Sequence, residues 1–120
     1  MANPNIVNVS SIYGKCVGLG LATTTQAIVT NSAASGKILK VNSLIVSNIN
    51  GTAAADVTAY VYKNQSNIYY LAYTIAVPND ATLVLISKDS SIYLEENDSI
   101  VIYASANSYL NAICSYEEIY

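Results

Sequence analysis

The chain contains no Arg, His, Phe or Trp, and only 11% of its residues are charged. An average soluble domain carries about 25%. Each absence removes a class of chemistry. Without His, the Ser-His-Asp and Cys-His nucleophilic mechanisms are excluded. Without Arg, there is no bidentate clamp for phosphate or carboxylate. The cations are five lysines, Lys15, Lys37, Lys40, Lys63 and Lys88, spread too thinly to build the basic patch that nucleic acid requires. Apolar runs such as residues 82–86 are far too short to cross a bilayer, so no membrane partner is expected. The first ten residues have neither a basic segment nor an apolar one of the kind that begins a signal peptide, which points to synthesis in the cytosol. Cys16 and Cys114 are the only cysteines, too few for a metal site. They read as two small buried apolar side chains. A disulfide tying the two ends is the alternative, and a cytosolic origin argues against it.

What is present is β-forming. Val, Ile, Leu and Ala supply the apolar residues, with 11 Tyr, and Asn, Ser and Thr make the polar surface. At 120 residues one domain is expected. Period-two alternation recurs between clusters of Gly, Asn, Asp and Ser, and no helical period is sustained. Strands are predicted at 11–21, 23–30, 37–48, 56–63, 68–77, 82–87, 92–94, 99–104 and 109–116. In 37–48, Leu39 and Val41 alternate onto one face and Leu44 and Val46 onto the other, so a bulge at Asn42-Ser43 is predicted. Asn50-Gly51 reads as a hairpin turn with positive φ at both residues. Residues 82–87 are nearly all apolar and read as a strand buried on both faces. Asn97 is the expected left-handed residue of the 95–98 turn. The expected fold is all-β: a single antiparallel β-sandwich of jelly-roll or Greek-key topology, with eight or nine strands over 13–120 and an extended arm over 1–12.

Few side chains invite a function. Glu95-Glu96-Asn97-Asp98 reads as a solvated acidic turn; half a calcium site is the sharper reading. The acids lie in turns or near the end of the chain, which disfavours a glycosidase pair. Glu117 and Glu118 read as a solvated edge or as an anchor for a partner's cation. The arm residues Asn3, Pro4, Asn5, Ile6 and Val7 follow no core period and are candidates for lying on a neighbouring chain. In 56–63, Val57, Ala59 and Val61 alternate with Tyr60 and Tyr62. In 68–77, Tyr69, Leu71, Tyr73, Ile75 and Val77 share one face and Tyr70 lies opposite. Tyrosine suits sheet packing, a subunit interface or stacking on sugar. No catalytic residue, metal or cofactor is expected.

Three segments carry a resemblance. Residues 35–59 read SGKILKVNSLIVSNINGTAAADVTA, residues 74–106 read TIAVPNDATLVLISKDSSIYLEENDSIVIYASA, and residues 115–119 read SYEEI. The chain resembles a family of small virion proteins of tailed bacteriophages, common in phages of marine cyanobacteria. That family's pattern is a Gly-Lys strand, an S-N hairpin, a P-x-x-A-T-L-V strand and L-x-x-G/N-D-S-I. Asn97 stands where Gly is usual and can fill the same backbone role. The resemblance implies an all-β virion component and no catalytic residue. A virion protein also reconciles an Asn/Ser/Thr-rich surface with cytosolic synthesis and release by lysis. The expected function is structural, with capsid decoration or cement first and a neck, tail or fibre accessory role next. The expected partners are other virion proteins and copies of itself. A carbohydrate-binding module or adhesin is the competing class.

Overall fold

The computed structural model describes residues 3–120, and Met1 and Ala2 lie outside the described residues. Among the described residues nine strands form: β1 Ile12–Gly20, β2 Gln26–Thr30, β3 Ile38–Asn48, β4 Ala55–Lys63, β5 Asn67–Val77, β6 Thr82–Ile86, β7 Ile92–Leu94, β8 Ser99–Ala104 and β9 Leu110–Ile119. A 3₁₀ turn at Lys88–Ser90 interrupts them. One sheet runs β1-β9-β3-β6, with β7 also on β3, and the other runs β2-β8-β4-β5. All pairings are antiparallel. The fold is the antiparallel β-sandwich that the alternation predicts. The chain changes sheet at most connections, and the consecutive strands β4 and β5 pair within one sheet.

The core lies between the sheets. Val41, Leu44 and Val46 from β3 meet Val57 and Ala59 from β4 and Ile100 and Ile102 from β8, all fully buried. The β3 bulge falls where the alternation breaks: the β3–β9 register shifts between Val41 and Ser43. It brings Leu39, Val41, Leu44 and Val46 to the core together. Asn97 is left-handed at φ 72°, as expected.

Four expectations need correction. Asn50-Gly51 is not a hairpin turn, and neither residue has positive φ. Strands β3 and β4 belong to different sheets, so the segment between them crosses the sandwich. Side chains shape it: Asn50 Oδ1 accepts from the N–H groups of Thr52 and Ala53 at 2.8 and 3.0 Å. The buried Asn48 amide holds the Ala53 and Val77 carbonyls at 3.0 and 2.9 Å. The hairpin lies instead between β4 and β5, where Asn64 and Gln65 have φ 54° and 53° and Ser66 N–H donates to Lys63 C=O at 3.0 Å. Strand β6 has one outer face, so Val84, opposite Ile45 rather than the core residue Val46, is 55% exposed and the strand is not buried on both faces. Cys16 is exposed and only Cys114 is buried. Cys16 pairs with Ser115 and Val17 with Cys114, which puts the two thiols on opposite faces of the sheet and prevents a disulfide between them. Residue 12 already belongs to β1, and the preceding segment turns back on itself, with Asn8 N–H on Asn5 C=O at 2.9 Å.

Candidate functional site: a tyrosine face

Alternation along β4 sends Val57 and Ala59 into the core, so Tyr60 and Tyr62 point outward, half-buried. Tyr60 pairs with Tyr70 on β5, which therefore shares the outer face. Strand β5 has eleven residues against nine in β4. The excess is absorbed by register shifts between Val57 and Ala59 and between Ala59 and Tyr60. The shifts break the face assignment read from the sequence: Tyr73 leaves the side of Leu71 and joins Tyr70. Thr74 sits in the bulge at φ 48°, an unusual conformation for a β-branched residue. The buried Thr58 hydroxyl accepts the Thr74 N–H at 3.0 Å and pins it there.

The result is an aromatic chain. Tyr62 to Tyr60 is 6.2 Å between ring centroids, Tyr60 to Tyr70 is 5.6 Å and Tyr70 to Tyr73 is 4.9 Å, each pair edge to face. Tyr70 and Tyr73 are 53% and 62% exposed. The Tyr60 phenol is pushed above its ordinary pKa by burial and then by Tyr62, Tyr70 and Tyr103. Beside Tyr60 and Tyr62 lies an open hollow of about 480 Å³ lined also by Gln26, Thr30, Gln65 and Ser99, with no charged side chain in its wall. Gln26 Oε1 is buried there without a hydrogen-bond partner.

The acidic turn is occupied by its own chain. Asp98, buried, accepts from Lys63 Nζ and Asn64 N–H at 2.8 Å and from Glu95 N–H at 2.9 Å. Lys63 also contacts Glu95, whose second oxygen accepts from the Asn3 amide at 2.7 Å. Burial opposes the Lys63 ammonium, but the bonds to Asp98 and Glu95 outweigh it and raise its pKa. Among the described residues no group of three or more His, Cys, Asp or Glu is placed to hold a metal.

The remaining candidates are dispersed. Asn5 Oδ1 accepts from Val7 N–H at 3.0 Å, Pro4 is half-buried, and Ile6 and Val7 are exposed. Glu117 and Glu118 lie on β9, an interior strand between β1 and β3 rather than an edge. Glu118 is bonded to Lys37 at 3.0 Å and to Lys15 at 3.5 Å. Burial opposes its charge, but these lysines prevail and lower its pKa. Sequence reasoning missed Tyr73 and Tyr103 as members of the tyrosine face. For Tyr73 the usable signal was the two-residue excess of β5 over β4.

No protein-family model and no curated protein matches this chain. Solved structures resemble it. A chain from the work described as "Bacillus endospore appendages form a novel family of disulfide-linked pili" aligns with TM-score 0.51 and 14% identity over 91% of this chain and 86% of that one. A pentameric capsid protein from metagenomic phage sequences aligns with TM-score 0.44 and 12% identity over 87% of this chain and 60% of that one. The nucleoplasmin-like N-terminal domain of Drosophila FKBP39 gives TM-score 0.43 and 12% identity over 88% and 85%. The first of these likenesses agrees with the sandwich described above, and at such identities it speaks to the fold alone.

Proposed function

We propose that this chain is a non-enzymatic building block of a bacteriophage virion, present in many copies, made in the host cytoplasm and joined to its neighbours through the tyrosine face. The observation that carries this reading is the run of Tyr62, Tyr60, Tyr70 and Tyr73 across an outer sheet face. Contiguous exposed aromatic patches mark partner sites. Aromatic anchors buried at an interface contribute about 2 kcal/mol or more each. Repetition over many copies multiplies a modest contact by avidity. Within the virion, capsid decoration or cement is the first assignment and a neck, tail or fibre accessory role the second. The partners are copies of itself and another virion protein. The spore-appendage likeness supplies the fold, and the assembly reading rests on the surface.

The hollow beside Tyr60 and Tyr62 favours one second reading. Neutral amides and hydroxyls around two aromatic rings, with an unpartnered Gln26 oxygen, suit an uncharged glycan. Particle incorporation separates the two. Tyr60→Ser with Tyr62→Ser folds normally and fails to occupy its site on the particle if the rings join subunits. Normal occupancy with loss of glycan binding would replace the structural reading by the adhesin one.

A further inference from the structure

The tyrosine face engages a partner through side chains. The opposite end of the sandwich offers backbone. Strand β1 borders its sheet, pairs on one side with β9 and is exposed along most of its nine residues. Its free side follows from the hydrogen bonds at its ends. Ser11 and Tyr120 exchange bonds at 2.7 and 3.0 Å, and Leu21 N–H donates to Leu110 C=O at 2.9 Å. The β1–β9 register between them is unbroken. In an antiparallel ladder bonding alternates, so the odd-numbered residues face β9. The N–H and C=O groups of Ile12, Gly14, Cys16, Gly18 and Gly20 therefore point away from the sheet.

Natural sheets protect such edges with short strands, bulges, proline or charge. The other borders here follow that rule. Strands β2 and β6 have five residues each and shifted registers, and β5 is twice bulged. Strand β1 is regular, lacks proline and carries one charge, Lys15. A regular open edge fits strand addition.

We propose that β1 is a seam between two copies of this chain, paired antiparallel through their β1 edges across a two-fold axis at Cys16. The self-assembly reading underlies this proposal, which assigns assembly a second surface. A second copy fits because of the register. The pairing that overlaps all nine residues sets Ile12 against the partner's Gly20, Gly14 against the partner's Gly18, and Cys16 against the partner's Cys16. It places Lys15 opposite the partner's Val17. A shift of the axis to residue 15 would oppose two lysines, a destabilising pair. Glycine at three of the five outward positions leaves the approach open: a Cβ at Gly14 would meet nothing within 4 Å.

The test is disulfide trapping of the full chain with oxidised glutathione. Directly opposed bonded residues have Cα atoms about 5.5 Å apart, within disulfide reach. The two Cys16 thiols give up two protons and two electrons, and each oxidised glutathione is reduced to two glutathione molecules. The native chain should yield a covalent dimer, and Cys16→Ser should yield none while keeping Cys114. In the Cys16→Ser background, Gly14→Cys with Gly18→Cys should restore the dimer and Gly18→Cys alone should not. Gly14→Pro removes an N–H that β9 does not use, so it should lower the trapped yield about tenfold at an unchanged melting temperature. A native chain that stays monomeric under the oxidant, equal trapping through Gly18→Cys alone, or a full yield from Gly14→Pro would overturn the seam. Tyr60→Ser with Tyr62→Ser should keep the crosslink, so failure of the tyrosine interface and failure of the seam are read separately.

Discussion

Strands β5 and β1 are both long and both border their sheets, yet they are built in opposite ways. Strand β5 is decorated with Tyr69, Tyr70 and Tyr73, bent by two bulges and joined to β4 by a turn that Asp98 ties to the rest of the fold. Strand β1 is straight in register, contains Gly14, Gly18 and Gly20, and keeps its outward backbone groups open beside the exposed Ile12, Tyr13 and Lys15. The bulges of β5 spoil it as a template for another strand while gathering its rings on one face. The plainness of β1 has the reverse consequence. One border is suited to recognition by side chains, the other to sheet extension.

The largest effect should come from cutting the anchor of the β4–β5 side. Asp98→Ala removes the acceptor of two backbone N–H groups and leaves Lys63 without its buried partner. Stranded donors cost about 1–3 kcal/mol each, so a loss of about 3 kcal/mol is expected in urea denaturation. A loss below about 1 kcal/mol would mean that the turn holds without its anchor.

Thr58→Val comes next. It keeps the shape of the side chain and removes the hydroxyl that receives the Thr74 N–H. The expected cost is about 1–2 kcal/mol. The sharper readout is the environment of Tyr73 by NMR, because a relaxed bulge would send that ring back toward the side of Leu71. An unmoved Tyr73 resonance would show that β4 pairing alone sets the bulge.

Ionic effects should be smaller, since most of these groups are solvated and salt-screened. Lys63 lowers the pKa of Glu95 first, with Asn3 assisting, and Glu118 is lowered by Lys37 and Lys15 against burial. A lowered carboxyl stabilises the fold above the ordinary carboxylate range, and that contribution disappears as pH falls through the folded-state values. The raised pKa of Lys63 works in the other direction: its contribution is complete at neutral pH and is lost as pH rises through its folded-state value. Glu118→Gln should therefore flatten the acid limb of a melting-temperature profile and leave the alkaline limb unchanged.

Gly51→Val should matter least. Residue 51 has no positive φ, and an added Cβ would meet only the Asp80 carboxylate at 3.8 Å. A change within about 0.5 kcal/mol is expected. A cost above about 1 kcal/mol would mean that the crossing segment is packed too closely at residue 51 to admit a branched side chain.

These sites also show what a sequence can and cannot disclose. Local patterns carried far. The broken alternation at Asn42-Ser43 located a real bulge. Asn97 announced its left-handed backbone, and the spacing of Val57, Ala59, Tyr60 and Tyr62 separated core from surface. Failures arose where a distant strand decides the outcome. Asn50-Gly51 has the composition of a hairpin, but its flanking strands belong to different sheets. Tyr73 changed face because β5 must match a shorter β4. Val84 is exposed because its sheet packs on one face only, which hydropathy cannot reveal. Cys114 behaves as a buried cysteine should, its thiol pushed up to about 11 by burial with Cys16 adding to it. Cys16 is exposed because alternation puts it with Ser115 on the outer face, opposite the side that buries Cys114.

Sedimentation velocity of the purified chain beside its Tyr60→Ser, Tyr62→Ser variant isolates what the tyrosine face joins, with circular dichroism confirming the fold of each. The native chain should associate with concentration beyond the β1-paired dimer, and the variant should stop at that dimer with its sheet signal intact. Equal association of the two would contradict this, because the tyrosine face would then join nothing.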